Sequence, residues 1–348
     1  VVSDDTLEFI SLMYNHIAII KKYNRTGFMT INLQHYLLKI KTVYHPLEHL
    51  TTEEKIDYLK EIYFSHVKTF PYSNFKLREI AKQHPLNRSS LSFFSYQTLL
   101  SSKHDGYCFQ SSELLYDALS QLGYEVSLCA ARVLLGAAIN APEILALPPT
   151  HFIVTVTIDN KKFLLDPGLG SSAPRFPILI TGINEPIVQN EDVFKFYPAG
   201  NVSVLEKKTS QGWLRLMQTD FTPLNEKNAQ MNLLKLGFHP TPLAIRDTKT
   251  VVGIITEHGR KSLIWDAQSK QLKFSKQEGK EQIQKILSNF EEGSHLLAEE
   301  FGIHHISAAK LKIHCTETVL PKPIKPWTVN FPLDERELSE MQTNLKLS

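Results

Sequence analysis

HFIVTVTIDNKKFLLD, residues 151–166, is the stretch that decides the fold. Apolar and β-branched residues run from Phe152 to Ile158, Asp159-Asn160 supplies a turn, and Lys161 to Asp166 returns. Such a two-residue loop closes an antiparallel hairpin, because both turn residues tolerate positive φ and the turn twists with its strands. With Ile158 opposite Lys161, cross-strand partners sum to 319, so Asp166 faces Ile153 and His151 lies two residues further on the same face. His151 and Asp166 are thus predicted to be diagonal neighbours, with Cα atoms roughly 7–8 Å apart. A carboxylate at that reach fixes one imidazole nitrogen and leaves the other to exchange a proton. The same pair on a solvated sheet face would be merely structural, so the hairpin alone leaves both readings open.

A nucleophile is available upstream. Gly106-Tyr107-Cys108-Phe109-Gln110 precedes a helical pattern from about Gln110 to Leu122, with Leu114, Leu115, Ala118, Leu119 and Leu122 apolar and Gly123 as its stop. A helix N-terminus presents unpaired N–H groups and partial positive charge, which favour a thiolate. An isolated cysteine is more often a small buried hydrophobe. Cysteine, histidine and aspartate in this chain order nevertheless allow a Cys-His-Asp triad.

Outward from these segments, helical spacing appears at residues 5–20, at 30–40, and after Thr51-Thr52-Glu53-Glu54, where Ile56, Leu59, Ile62 and Tyr63 share a face until Pro71. Val126 to Leu135 reads as a buried strand, with Cys129 in the core. Strands follow near 202–207, 213–219, 250–256, 262–266 and 272–274. Residues 278–300 read as a helix carrying Ile283, Ile286, Leu287 and Phe290. The tail after Ile306, with Pro321, Pro323, Pro326 and Pro332, reads as extended, ending in a short helix from Asp334. Gly168 to Ala173 matches GxGxxA, but Pro174 and Pro177 follow, so no helix opens there and a dinucleotide site is not expected.

Composition excludes other classes. The 348 residues suggest two to three domains or one composite domain, and 42% hydrophobic with 21% charged residues is ordinary for a globular chain. A formal charge of +2 gives no general pull toward nucleic acid. Three cysteines, Cys108, Cys129 and Cys315, are too few for a disulfide framework and form no CxxC pair. His304-His305 and His314-Cys315 fit no metal-ligand spacing, so no metal is expected. The acidic start VVSDDTLEF carries no readable signal peptide, and Arg132, Asn140 and Glu143 interrupt the most apolar long stretch, so a cytoplasmic protein without membrane association is expected.

The segments GYCFQSSELLYDALSQLGYEV (106–126), THFIVTVTIDNKKFLLDPGLG (150–170) and FPYSNF (70–75) together resemble the arylamine N-acetyltransferase family over roughly residues 29–305. That family's R-G-G-x-C-x-E motif, its strand-opening histidine and an aspartate 15 residues later in D-x-G-x-G align on Cys108, His151 and Asp166. The resemblance implies an α+β fold. A helical domain (29–123) carries the cysteine, a β-barrel domain (124–225) carries the histidine and aspartate, and an α/β lid follows (226–305). Extensions lie at 1–28 and 306–348, and the core is cysteine-proteinase-like.

It further implies acetyl transfer from acetyl-CoA through an acetyl-Cys108 intermediate to a small-molecule amine, an arylamine or arylhydrazine. Thr150, Gly168 and Gly170 are the implied contacts to coenzyme A, and Tyr72, Tyr107 and Leu169 the implied acceptor-pocket wall. The family arginine and first glycine are His104 and Asp105 here, the motif's final glutamate is Gln110, and the acidic position of PFENL is Ser73. An amide synthase or cysteine hydrolase with the same triad, and a non-catalytic binding protein on this scaffold, are the alternatives. Oligomeric state is not legible. The apolar residues Trp327, Val329, Phe331, Leu338 and Met341 lead us to expect the tail to pack back and narrow access to Cys108.

Overall fold

The computed structural model describes residues 31–82, 96–101, 105–224, 236 and 243–317. The segment 5–20 and everything from 318 onward, including the four-proline stretch and the helix at Asp334, lie outside the described residues.

The first layer is helical. Helix α1 (Leu33–Ile40) starts where the Asn32 side chain accepts the His35 N–H. Helix α2 (Thr52–Thr69) starts in a capping box: Thr51 Oγ accepts the Glu54 N–H, and the Glu54 carboxylate accepts the Thr51 N–H. Its inner face presents Tyr58, Leu59, Ile62, Tyr63, His66 and Val67. After Pro71 comes the two-residue strand β1 (Tyr72–Ser73), then α3 (Phe75–Lys82). Helix α4 (Cys108–Gln121) buries Leu114, Leu115, Ala118 and Leu119 and stops at Gly123, whose φ of 94° suits glycine.

The second layer is an eight-stranded, barrel-like sheet. Its members are β2 (Glu125–Val133), β3 (His151–Ile158), β4 (Lys161–Leu165), β5 (Ile178–Leu179), β6 (Ile187–Gln189), β7 (Asp192–Ala199), β8 (Val202–Thr209) and β9 (Gly212–Thr219). They pair antiparallel in the order β5-β4-β3-β2-β9-β8-β7-β6. A one-turn helix, α5 (Pro142–Leu145), lies between β2 and β3. The near-continuous apolar run of β3 has a physical reason: both faces are covered. Phe152, Val154, Val156 and Ile158 join the core shared with the helices, while Ile153 joins Leu164, Phe194, Phe196, Leu205 and Met217 in a separate core. The hairpin register is the predicted one, Ile158 opposite Lys161 and Val154 opposite Leu165.

The third layer follows a one-turn helix, α6 (Ala244–Asp247). Strands β10 (Lys249–Ile255), β11 (Gly259–Asp266), β12 (Gln271–Glu278) and β13 (Glu281–Ile286) form a meander, and β1 adds its edge beside β10. Helices α7 (Phe290–Phe301) and α8 (Ala308–Thr316) share a core with this sheet through Leu297, Phe301, Ile306, Leu311 and Cys315.

Two expectations are corrected here. Residues 278–300 are not one helix: Gly279, at φ 57°, turns a hairpin into β13, and the helix begins only after Asn289 caps it. The spacing of Ile283, Ile286, Leu287 and Phe290 misleads because β13 is an edge strand exposed along its length, with no buried face to impose alternation. Residues 308–316 are not extended either. Ser307 caps α8, and all four prolines lie beyond that helix. Residues 167–172 form tight 3₁₀ turns broken at Gly170. Among the described residues no helix is long and apolar enough to cross a membrane.

Candidate active site

His151 opens β3 and Asp166 stands one residue past β4. Asp159 and Asn160 take φ of 45° and 67°, as a two-residue hairpin turn requires. His151 Nε2 and Asp166 Oδ1 are 2.7 Å apart, a buried pair with side chains 1% and 0% exposed. Gly168 N–H also donates to Asp166 Oδ1, at 3.1 Å.

Cys108 is the first residue of α4, two residues earlier than the apolar pattern alone suggests. Tyr107, in extended conformation, precedes it, and the Tyr107 N–H donates to Gln110 Oε1 at 3.0 Å. Gln110, standing at the glutamate position of the resembled motif, thus satisfies a donor at the helix entrance without a charge. Cys108 is 2% exposed, and its sulfur lies 3.9 Å from the Thr150 carbonyl oxygen.

Gly168 shows how closely the cysteine and the hairpin meet. A Cβ there would stand 2.5 Å from Cys108 Cβ and 2.8 Å from His151 Cε1. The two side chains therefore flank one glycine. Phe109 and Phe152, the neighbours of Cys108 and His151, stack at 3.7 Å with planes 7° apart, pinning α4 to β3. Ser112 Oγ donates to the Phe152 carbonyl at 2.7 Å.

Burial alone would push the His151 imidazole toward its neutral form. Asp166 and Cys108 beside it outweigh that and raise its pKa to about 10, so the ring holds its proton at neutral pH. The Tyr72 and Tyr107 hydroxyls are held well above the usual phenol range, by burial first and then by Cys108.

The remaining sequence candidates fall around this centre. Tyr72 and Tyr107 rings lie 5.9 Å apart. Leu169 packs against both the helical and the barrel cores. Gly170 has φ 57°, which favours glycine, and a Cβ on it would stand 3.2 Å from Tyr72 Cβ. Thr150 Oγ1 accepts the Val133 N–H at 3.0 Å. A recess of about 410 Å³ lies nearby, between β2, β9 and residues 140–149; Arg132, Pro149, Gln218 and Asp220 are on its wall, and none of the three candidate catalytic residues is. Cys129 is 2% exposed, in the barrel core.

Sequence reasoning missed two supports. Tyr63 reads as part of an apolar helix face, yet its hydroxyl accepts the Asp166 N–H at 3.2 Å. His66 bridges Tyr36 and Ser111 inside the helical layer, at 3.1 and 3.0 Å. Only the apolar face around them is legible, because hydrogen bonds between residues far apart in the chain leave no local pattern.

A buried thiol beside a carboxylate-bound imidazole is chemically equipped for acyl transfer through sulfur. The comparisons agree in class. The sequence model of the N-acetyltransferase family matches residues 55–309. The chain belongs to this family of acyltransferase enzymes. The arylamine N-acetyltransferase of Mycobacterium tuberculosis is 26% identical over 257 residues, 73% of this chain and 84% of that protein. Among solved structures, the arylamine N-acetyltransferase from Salmonella typhimurium matches with TM-score 0.65 at 17% identity, over 82% of this chain and 98% of that one. The Mycobacterium marinum arylamine N-acetyltransferase in complex with CoA matches with TM-score 0.63 at 19% identity, over 81% and 98%. These two share the fold.

Proposed function

We propose that the protein transfers an acetyl group from acetyl-CoA to a small arylamine or related amine through an acetyl-Cys108 intermediate, in the cytoplasm. The observation that supports it is the meeting of Cys108 and the His151–Asp166 pair around Gly168. In this reading Cys108 sulfur, as thiolate, attacks the acetyl carbonyl. First-turn N–H groups of α4, which have no intrahelical acceptor, stabilise the oxyanion. His151 gives its proton to the departing coenzyme A sulfur. The amine then attacks the thioester, His151 takes a proton from the amine, and Cys108 leaves as thiolate. Asp166 keeps the imidazole oriented throughout.

Tyr72, Tyr107 and Leu169 form the acceptor side, and Thr150 with the 168–170 turn lies on the donor side. The three layers follow the domains expected at 29–123, 124–225 and 226–305, with α8 (Ala308–Thr316) added to the last, which serves as lid.

The test is acetyl-CoA incubation without an amine, followed by peptide mass analysis. One acetyl adduct on Cys108, discharged by an added arylamine, is expected. An adduct on Cys129 or Cys315, or undiminished transfer by Cys108→Ala, defeats the assignment. Discharge by water as fast as by amine identifies a hydrolase instead.

A further inference from the structure

Asp105 stands three residues ahead of Cys108 with its side chain only 6% exposed. A buried carboxylate is costly without polar or charged neighbours. Ser73 Oγ donates to Asp105 Oδ2 at 2.6 Å, and His305 Nε2 lies 3.4 Å from Asp105 Oδ1. Ser73 belongs to β1, and His305 to the turn between α7 and α8. The backbone repeats the fastening: Gly106 N–H donates to Pro71 O at 3.0 Å, and Ser73 N–H to Gly106 O at 2.8 Å. The segment that delivers Cys108 into α4 is therefore joined on one side to the barrel hairpin and on the other to the five-stranded sheet. The chain's own departures meet here. The acidic position of the PFENL-like segment is Ser73, a glycine position of the cysteine motif is Asp105, and the two touch. Here a hydroxyl meets a carboxylate, and the His305 imidazole, from the turn between α7 and α8, faces that carboxylate.

We propose that Asp105 is a positioning residue for Cys108, with Ser73 and His305 as its anchors, so that docking of the C-terminal layer sets the placement of the thiol. The inference rests on Cys108 as the nucleophile. With its side chain only 6% exposed, Asp105 has few other partners, so removing Ser73 or His305 leaves the buried carboxylate poorly compensated. The geometry makes the two anchors act through one carboxylate, which predicts non-additive losses.

The test uses the full chain and compares Asp105→Asn, His305→Gln and the double variant. Three quantities are measured: kcat and KM for acetyl transfer, the rate of iodoacetamide alkylation at Cys108 followed by peptide mass, and the thermal midpoint. Each single variant is expected to lower kcat by about fivefold or more with KM for the amine within about twofold, and to change the alkylation rate in step. The double variant is expected to lose no more than the worse single. Alkylation of Asp105→Asn within about twofold of the parent, or losses that multiply in the double variant, overturn the proposal. Should Asp105→Asn not fold, Ser73→Ala removes one donor while keeping the charge, and the same alkylation readout decides. Alkylation needs no catalytic role for the thiol. Failure of the nucleophile assignment therefore shows separately, as acetyl transfer that survives Cys108→Ala.

Discussion

At the residue scale, the candidate site is three side chains, Cys108, His151 and Asp166, around one missing side chain at Gly168. Asp166 is enclosed and spends one oxygen on both His151 and the Gly168 amide. Asp166→Asn keeps the size and offers an amide that favours the wrong imidazole tautomer. The variant should fold as the parent does, while kcat/KM falls by roughly a hundredfold or more. A loss under about tenfold would reduce Asp166 to a bystander. Gly168 is the second lever. Its backbone φ is ordinary, so only space forbids a methyl group, which would press on both the Cys108 Cα, at 3.0 Å, and the His151 ring. Gly168→Ala should abolish most transfer and slow Cys108 alkylation, because the methyl wedges thiol and imidazole apart. Parental alkylation and turnover in Gly168→Ala would show that the two groups can meet another way.

At the element scale, local chemistry sets where helices start, and tertiary contacts set what they carry. The α2 capping box satisfies two orphan N–H groups at once. Thr51→Ala should lower stability by about 1 kcal/mol, read by denaturant unfolding, with kcat unchanged. A shift in kcat without a shift in stability would contradict this account, because Thr51 caps the start of α2, well ahead of Tyr63 and His66, the side chains by which that helix reaches the Asp166 backbone and α4. Strand β13 makes the opposite point. Its residues carry an amphipathic helical spacing, yet pairing with β12 overrides it, and Gly279 at the turn is the one local sign.

At the scale of the whole molecule, polar groups buried between layers tie the parts together. Arg175 is 2% exposed and donates to the Thr256, Glu257 and Gly259 carbonyls, joining the barrel to the five-stranded sheet. His66 ties α1, α2 and α4. Burial pushes its pKa down to about 3, so it is neutral in the folded protein. In the unfolded chain the same imidazole titrates near 6.5. Its share of stability is therefore whole above that value and is lost as pH falls from about 6.5 toward 3. Between pH 7 and pH 5, before most carboxylates titrate, His66 should cost the parent about 2 kcal/mol. His66→Gln retains polar contacts without titrating and should show that much less acid sensitivity over the same interval. His151, with its raised pKa, acts in the opposite sense: its stabilisation is full below about 6.5 and is lost as pH rises through about 10. It is common to both proteins, so the difference isolates His66. Equal slopes for parent and variant would place the acid-sensitive group elsewhere.

By itself the sequence determined what a few neighbouring residues decide. Asp159-Asn160 dictated the turn, the turn dictated the register, and the register put His151 and Asp166 on one face. Thr51 and Glu54 dictated the start of α2, and the apolar stripe of α4 fixed the face it buries. These are short-range constraints of backbone sterics, capping and side-chain period. Only the tertiary structure decided that the start of α4 meets that hairpin around Gly168, that Tyr63 holds the Asp166 backbone, and that Asp105, Ser73 and His305 converge. It also decided that β13 is a strand and that α8 continues the third layer. Each of these joins residues far apart in the chain or depends on an edge with no buried face. Such contacts form because layers bury their apolar surfaces against one another, and that packing, not any local pattern, selects which polar groups are left to pair.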